Sequence, residues 1–93
     1  MDKQEQTDLI RLSIDGINFL RTLNFRNSEF PAWMARVTEL LQRVYGEDSP
    51  EYKRFMNAPG KVFVVRTETG LAQEYARKLD CYESALRSLV EPE

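Results

Sequence analysis

The sequence predicts an all-α fold: an elongated helical bundle of about four helices, two long, one medium and one short, with an extended connector, forming a single helical domain over residues 1–93. Three observations carry this. Apolar residues recur every three to four positions along most of the chain, the period of a helix with one buried face. Capping residues, Pro and Gly punctuate those runs at the offsets where helices start and stop. Only Lys61-Val62-Phe63-Val64-Val65 has strand propensity, and a lone strand in a chain this short has no partner. That stretch is therefore read as an extended connector, or as helix where tertiary packing overrides propensity, with strand against connector left open for Val62–Val65.

The first helix is predicted from about Asp2 to Leu23. One apolar row is Leu9, Leu12, Gly16, Phe19, Leu20 and Leu23, and a second is Ile10, Ile14 and Ile17. Together they make a face wider than one neighbouring helix needs. Gly16 weakens the helix interior by about 1 kcal/mol relative to Ala, and it permits a close helix–helix approach. Asn24 to Ser28 reads as a loop. The second helix follows, with Phe30, Trp33, Met34, Val37, Leu40, Leu41 and Val44 at helical spacing. Ser28 is its expected cap, Pro31 is tolerated in the first turn, and Gly46 suits a left-handed position after the last turn. Ser49-Pro50-Glu51 opens a short third helix with Tyr52, Phe55 and Met56 on its apolar side, and Asn57-Ala58-Pro59-Gly60 stops it. Thr67 or Thr69 caps a long final helix to about Val90, with the stripe Leu71, Tyr75, Leu79, Tyr82, Leu86 and Leu89, Ala72 and Ala76 as small contacts, and Pro92 beyond its end.

Composition excludes much chemistry. There is no histidine and one cysteine, Cys81. Ser-His-Asp and Cys-His catalysis, His-ligated metals, an internal disulfide and a Cys-rich zinc site are all ruled out. Glu47, Asp48 and Glu51 cluster at a helix start, where the dipole accounts for acids. They lack the loop of a calcium site. No metal and no cofactor is expected, and the chain reads as a non-enzyme. A formal net charge of −2 is unsuited to duplex nucleic acid. No apolar run approaches the roughly 20 residues of a membrane span. The polar N-terminus is unlike a leader peptide, and the single cysteine suits a reducing compartment, so the expected location is the cytoplasm.

The charge distribution is uneven. From Tyr52 to Thr67 there is no acidic residue, yet Lys53, Arg54, Lys61 and Arg66 all fall there, interleaved with Phe55, Pro59, Gly60 and Phe63. Cations, glycine and aromatics ahead of a capped helix are the parts of a small-anion site. Asn57, Thr67 and Thr69 add hydrogen-bonding groups, and Arg26 in its loop is free to reach a ligand. The competing reading is a solvated basic face paired with Glu47, Asp48 and Glu51. Trp33 lies on the apolar stripe of the second helix and reads as core, and Tyr45 and Tyr52 read as partly exposed.

The stretch Glu29-Phe30-Pro31-Ala32-Trp33, through Val37 and Leu40-Leu41 to Val44-Tyr45-Gly46-Glu47-Asp48-Ser49, Tyr52 and Phe55, resembles a small helical module of bacterial anti-phage defence proteins, the AbiTii-like type. The final helix, opened by Gly70-Leu71, is loosely similar to that family's closing helix. The resemblance covers core and cap positions, so it implies fold before activity. Family members carry the module beside a sensor or effector domain. A free-standing copy looks like the small phage-encoded sponges that sequester defence signalling nucleotides, which implies an oligomer binding a nucleotide between subunits through cations and aromatics. The expected function is thus a non-enzymatic, homo-oligomeric protein holding a phosphate-containing signalling nucleotide. The alternative is a helical protein–protein interaction module that uses the surplus apolar face of its first or last helix.

Overall fold

The structure, a computed structural model, describes residues 2–61 and 65–90. Four helices follow in order: α1 Lys3–Arg21, α2 Glu29–Tyr45, α3 Pro50–Met56 and α4 Glu68–Val90. The fold class is all-α, two long helices, one medium and one short. The strand-or-connector question falls chiefly on residues 62–64, outside the described residues, as does Pro92.

Each helix begins where a side-chain oxygen can take an orphan backbone N–H. Asp2 accepts from the Glu5 N–H at 2.8 Å, starting α1. At α2 the cap is Asn27, whose Oδ1 accepts from the Phe30 N–H at 2.8 Å. Ser28, the residue expected to cap, already has helical dihedrals and makes no capping bond. The reason is that Asn27 is held from elsewhere: its amide donates to the Asn24 carbonyl and to the Tyr75 hydroxyl, the latter at 3.0 Å. Ser49 caps α3 through the Tyr52 N–H at 3.1 Å, with Pro50 at the first helical position. Thr67 caps α4 through the Gly70 N–H at 3.0 Å, which leaves Thr69 inside the first turn.

The ends are equally local. α1 stops two residues short of Leu23 because Thr22 and Leu23 bond back to Phe19 and Leu20 in a tighter turn. The Tyr75 hydroxyl, from α4, donates to the Leu20 carbonyl at 2.6 Å. Gly46 has φ 90°, as a glycine was expected to supply, but ψ is 155°. The chain therefore leaves α2 extended instead of curling left-handed, and the Gly46 carbonyl accepts the Ser49 hydroxyl at 2.7 Å.

α1 lies along α4, α2 packs on α1 and α3, and α3 packs on α4. At 1.5 Å per residue α1 and α4 run about 28 and 34 Å, and the principal extents are 44 × 25 × 24 Å, so the bundle is elongated. One continuous core takes Ile10, Ile14, Ile17 and Leu20 from α1, Trp33, Val37 and Leu41 from α2, Phe55 from α3, and Leu79, Tyr82, Ala85 and Leu86 from α4. Its centre is aromatic: Phe55 and Tyr82 approach to 4.9 Å between ring centroids, and Phe30 meets Tyr75 edge-on at 5.6 Å. Trp33 is core as expected, and its indole Nε1–H donates to the Ser13 carbonyl at 3.0 Å. Gly16 makes that seat, since a Cβ there would lie 2.9 Å from Trp33 Nε1. Outside the core, Arg21 joins the two long helices by ion pairs to Asp80 at 2.7 Å and Glu83 at 2.9 Å. Among the described residues no helix is long and apolar enough to cross a membrane.

Candidate functional site

Lys53 and Arg54 occupy the last turn of α3, exposed, where cations meet the negative end of the helix dipole. Asn57 closes that helix through its backbone N–H to the Lys53 carbonyl at 3.0 Å. Arg77 of α4 then clamps the following loop, donating to the Pro59 carbonyl and, at 3.2 Å, to the Lys61 carbonyl. Arg77 also pairs with Glu74, whose carboxyl is held below its usual range mainly by that hydrogen bond. Arg66, Thr67 and Thr69 lie instead at the opening of α4, all exposed. Arg26 is there too, but it is engaged: it pairs with Glu68 at 3.0 Å and stacks over Phe25 at 5.2 Å.

The eight candidate residues thus form two groups. Lys53, Arg54 and Asn57 lie at the end of α3 with Lys61 in the loop that Arg77 holds, while Arg26, Arg66, Thr67 and Thr69 gather at the α4 start. Thr67 and Arg77 are ten residues apart, about 15 Å along the helix. The α4 N-terminus is also partly spent, because Thr67 takes one N–H and Glu68 with Arg26 already supplies the carboxylate and its counter-charge. Lys53, Arg54, Lys61 and Arg66 make no ion pair among the described residues, so the expected pairing with Glu47, Asp48 and Glu51 does not occur. Glu47 instead accepts from Gln42 at 3.3 Å. Among the described residues no group of three or more metal-ligating side chains is assembled.

A groove between α1 and α2 was only indirectly legible in sequence. α1 and α2 flank a groove of about 480 Å³ lined by Leu9, Leu12, Gly16, Trp33, Val37 and Leu40, with Ser13, Arg36, Glu39 and Arg43 around it. The surplus width of the apolar face on α1 pointed to it. The two rows predicted for that helix have separate fates: the isoleucine row with Leu20 is buried, whereas Leu9, Leu12 and Phe19 are 38%, 64% and 55% exposed. A second groove of about 500 Å³ lies between the turn after α1 and α4, lined by Leu23, Phe25, Ala72, Tyr75, Ala76 and Leu79. Ala72 and Ala76, expected as small contacts beside the α4 stripe, are exposed on its wall. Cys81 is half-buried.

The fold and its surfaces define an all-α, four-helix protein with an open apolar groove. No protein-family model matches the chain, and comparison with curated proteins and with solved structures finds no match either.

Proposed function

We propose that this protein is a non-enzymatic binding module that works by docking an amphipathic helix into the groove between α1 and α2, and that it acts as an oligomer. One observation carries the reading: Leu12 and Phe19 stand 64% and 55% exposed on a helix whose opposite face is fully buried. Large side chains aligned one or two turns apart beside a groove are what a helix-in-groove contact uses. Covering them removes apolar area from water at about 25 cal/mol per Å². The absence of histidine from the sequence supports a role in binding over one in acid–base chemistry. The test is the double variant Leu12→Asp with Phe19→Asp, compared with wild type by sedimentation and circular dichroism. Wild type should sediment as a complex, with itself or with a captured helix, and the variant as a folded monomer. A wild type that stays monomeric and retains no partner would sink the reading.

A second reading keeps the phosphate-bearing ligand, a signalling nucleotide in the phage–host setting that the resemblance implies. It is favoured by the four cations between Lys53 and Arg66 that lack acid partners among the described residues. Isothermal titration against cyclic di- and trinucleotides and ADP-ribose derivatives tests it. Heat that is lost in Arg54→Ala and Lys61→Ala supports it, and no heat from any of them overturns it.

A further inference from the structure

The groove between α1 and α2 carries its charge on one side. From α1 its lining is Leu9, Leu12, Ser13 and Gly16, none of them charged. From α2 it takes three charged residues, Arg36, Glu39 and Arg43. Glu39 and Arg43 hold each other at 2.9 Å, an exposed pair one turn apart. Arg36 is exposed and makes no ion pair among the described residues. The groove therefore keeps one uncompensated positive charge, on a chain whose formal net charge is −2. The exposed apolar surface also outruns the groove. Leu9, Leu12 and Phe19 share one face of α1, at spacings of three and seven. From Leu9 to Phe19 the stripe runs about 15 Å, and Phe19 lies beyond the groove's lining. A small molecule seated in the groove leaves Phe19 in water, whereas a helix of three or more turns laid along α1 reaches it.

We infer that the occupant of this groove is an acidic amphipathic helix of a partner protein, its apolar stripe laid along Leu9, Leu12 and Leu40 and a carboxylate beside that stripe paired with Arg36. This rests on the docking reading above and gives the partner its charge. A guanidinium takes a carboxylate through two parallel hydrogen bonds, so the pair fixes where along the groove the helix lies. Charge beside an apolar contact selects partners more than it adds affinity. A helix with a cation at that place sets like charges together, and one with a carboxylate does not. Arg43 contributes little to the choice, because Glu39 already offsets it. The second groove, beside Phe25 and Ala76, has no such selector. Its one charged lining residue is Arg21, already engaged by Asp80 and Glu83.

The experiment uses three versions of the full chain, wild type, Arg36→Glu and Leu12→Asp, with circular dichroism confirming that each is folded. The probes are two dye-labelled peptides of about 18 residues, long enough to form a helix. Both carry the same leucine stripe, one flanked by glutamates and the other by lysines. Fluorescence anisotropy reads their binding, and light scattering reads the mass of each chain. Wild type should bind the glutamate peptide about tenfold more tightly than the lysine peptide, Arg36→Glu should reverse that order, and Leu12→Asp should release both. A wild type that binds the two peptides equally, or a preference that Arg36→Glu leaves unchanged, overturns the inference. If Leu12→Asp still releases both peptides in that case, the docking reading survives and only the acidic partner falls. Binding of neither peptide also overturns the inference. A wild-type dimer that Leu12→Asp dissolves would then assign the groove to a second copy and keep the docking reading, whereas a monomer would end both.

Discussion

The two sides of α1 differ in fate far more than in composition. One side carries Ile10, Ile14, Ile17 and Leu20, none more than 4% exposed. The other carries Leu9, Leu12 and Phe19, all at least 38% exposed. Both are strongly apolar, so hydrophobicity alone does not explain which side is buried. Partners do. α4 lies along the isoleucine side, and α2 approaches over Gly16, with the Trp33 indole occupying the space a side chain would take. Among the described residues no further helix covers the outer side. The lesson is that a helix with too wide an apolar face is a statement about a missing neighbour.

The sharpest way to break the comparison is a matched truncation. Ile17→Ala, at a fully buried site, should cost about 3 kcal/mol of unfolding free energy, from lost transfer energy and the cavity left behind. Leu12→Ala should change the stability of the monomer by less than about 0.5 kcal/mol. Urea unfolding of both, at a concentration low enough to keep the chain monomeric, measures the pair. Equal losses would mean that the outer side is also covered within one copy. Next in size is Gly16→Val, which places methyl groups where the Trp33 ring lies. Overpacking of this kind costs about 2 kcal/mol. The fluorescence of the single tryptophan should shift to the red as the ring is displaced toward water.

The α2 start sets how that helix meets α1, and it gives a smaller effect. Asn27→Ala should cost about 1 kcal/mol, the usual worth of a cap, while Ser28→Ala should be nearly silent, since Ser28 makes no capping bond. Reversed magnitudes in thermal unfolding would restore Ser28 as the cap. The smallest effect is electrostatic, where α1 meets α4. Glu83 has its carboxyl pulled below the usual range, first by the hydrogen bond from Arg21 and then by the one from Arg87. A depressed folded-state pKa contributes stability above the ordinary carboxylate range, and that contribution disappears as pH falls through the folded value. Glu83→Gln should therefore lower the melting temperature at neutral pH, by an amount equivalent to about 0.5 kcal/mol for so exposed a pair. The difference from wild type should close in acid. A gap that persists unchanged into acid would show that the side chain acts by packing.

Much of this architecture was legible because its signals are local. The apolar period of α2, the Ser49-Pro50 start of α3, the Thr67 cap of α4 and the core position of Trp33 all depend on residues within a turn or two of each other. The misreadings share the opposite property. Asn27 replaces Ser28 as a cap because Tyr75, 48 positions along the chain, reaches its amide. Arg26 sits in a loop that by sequence leaves it free to reach a ligand, but Glu68, 42 positions away, engages it. The basic segment was legible as a run of charges, but its division between the end of α3 with the following loop and the start of α4 follows from how α4 passes that loop. That path is set by long-range packing.

The order, type and approximate limits of the four helices follow from the chain itself, through periodicity, caps and the positions of Gly and Pro, all of which act within about one turn. So does the exclusion of histidine chemistry, which is a matter of composition. Three-dimensional packing chose which of two apolar rows on α1 is core and which is left outside, which cations find acids, and that Leu9 and Leu12 border one groove with Leu40 and Arg36. Those choices depend on residues tens of positions apart. No local spacing encodes them, because they exist only once α1, α2 and α4 have closed on a shared core.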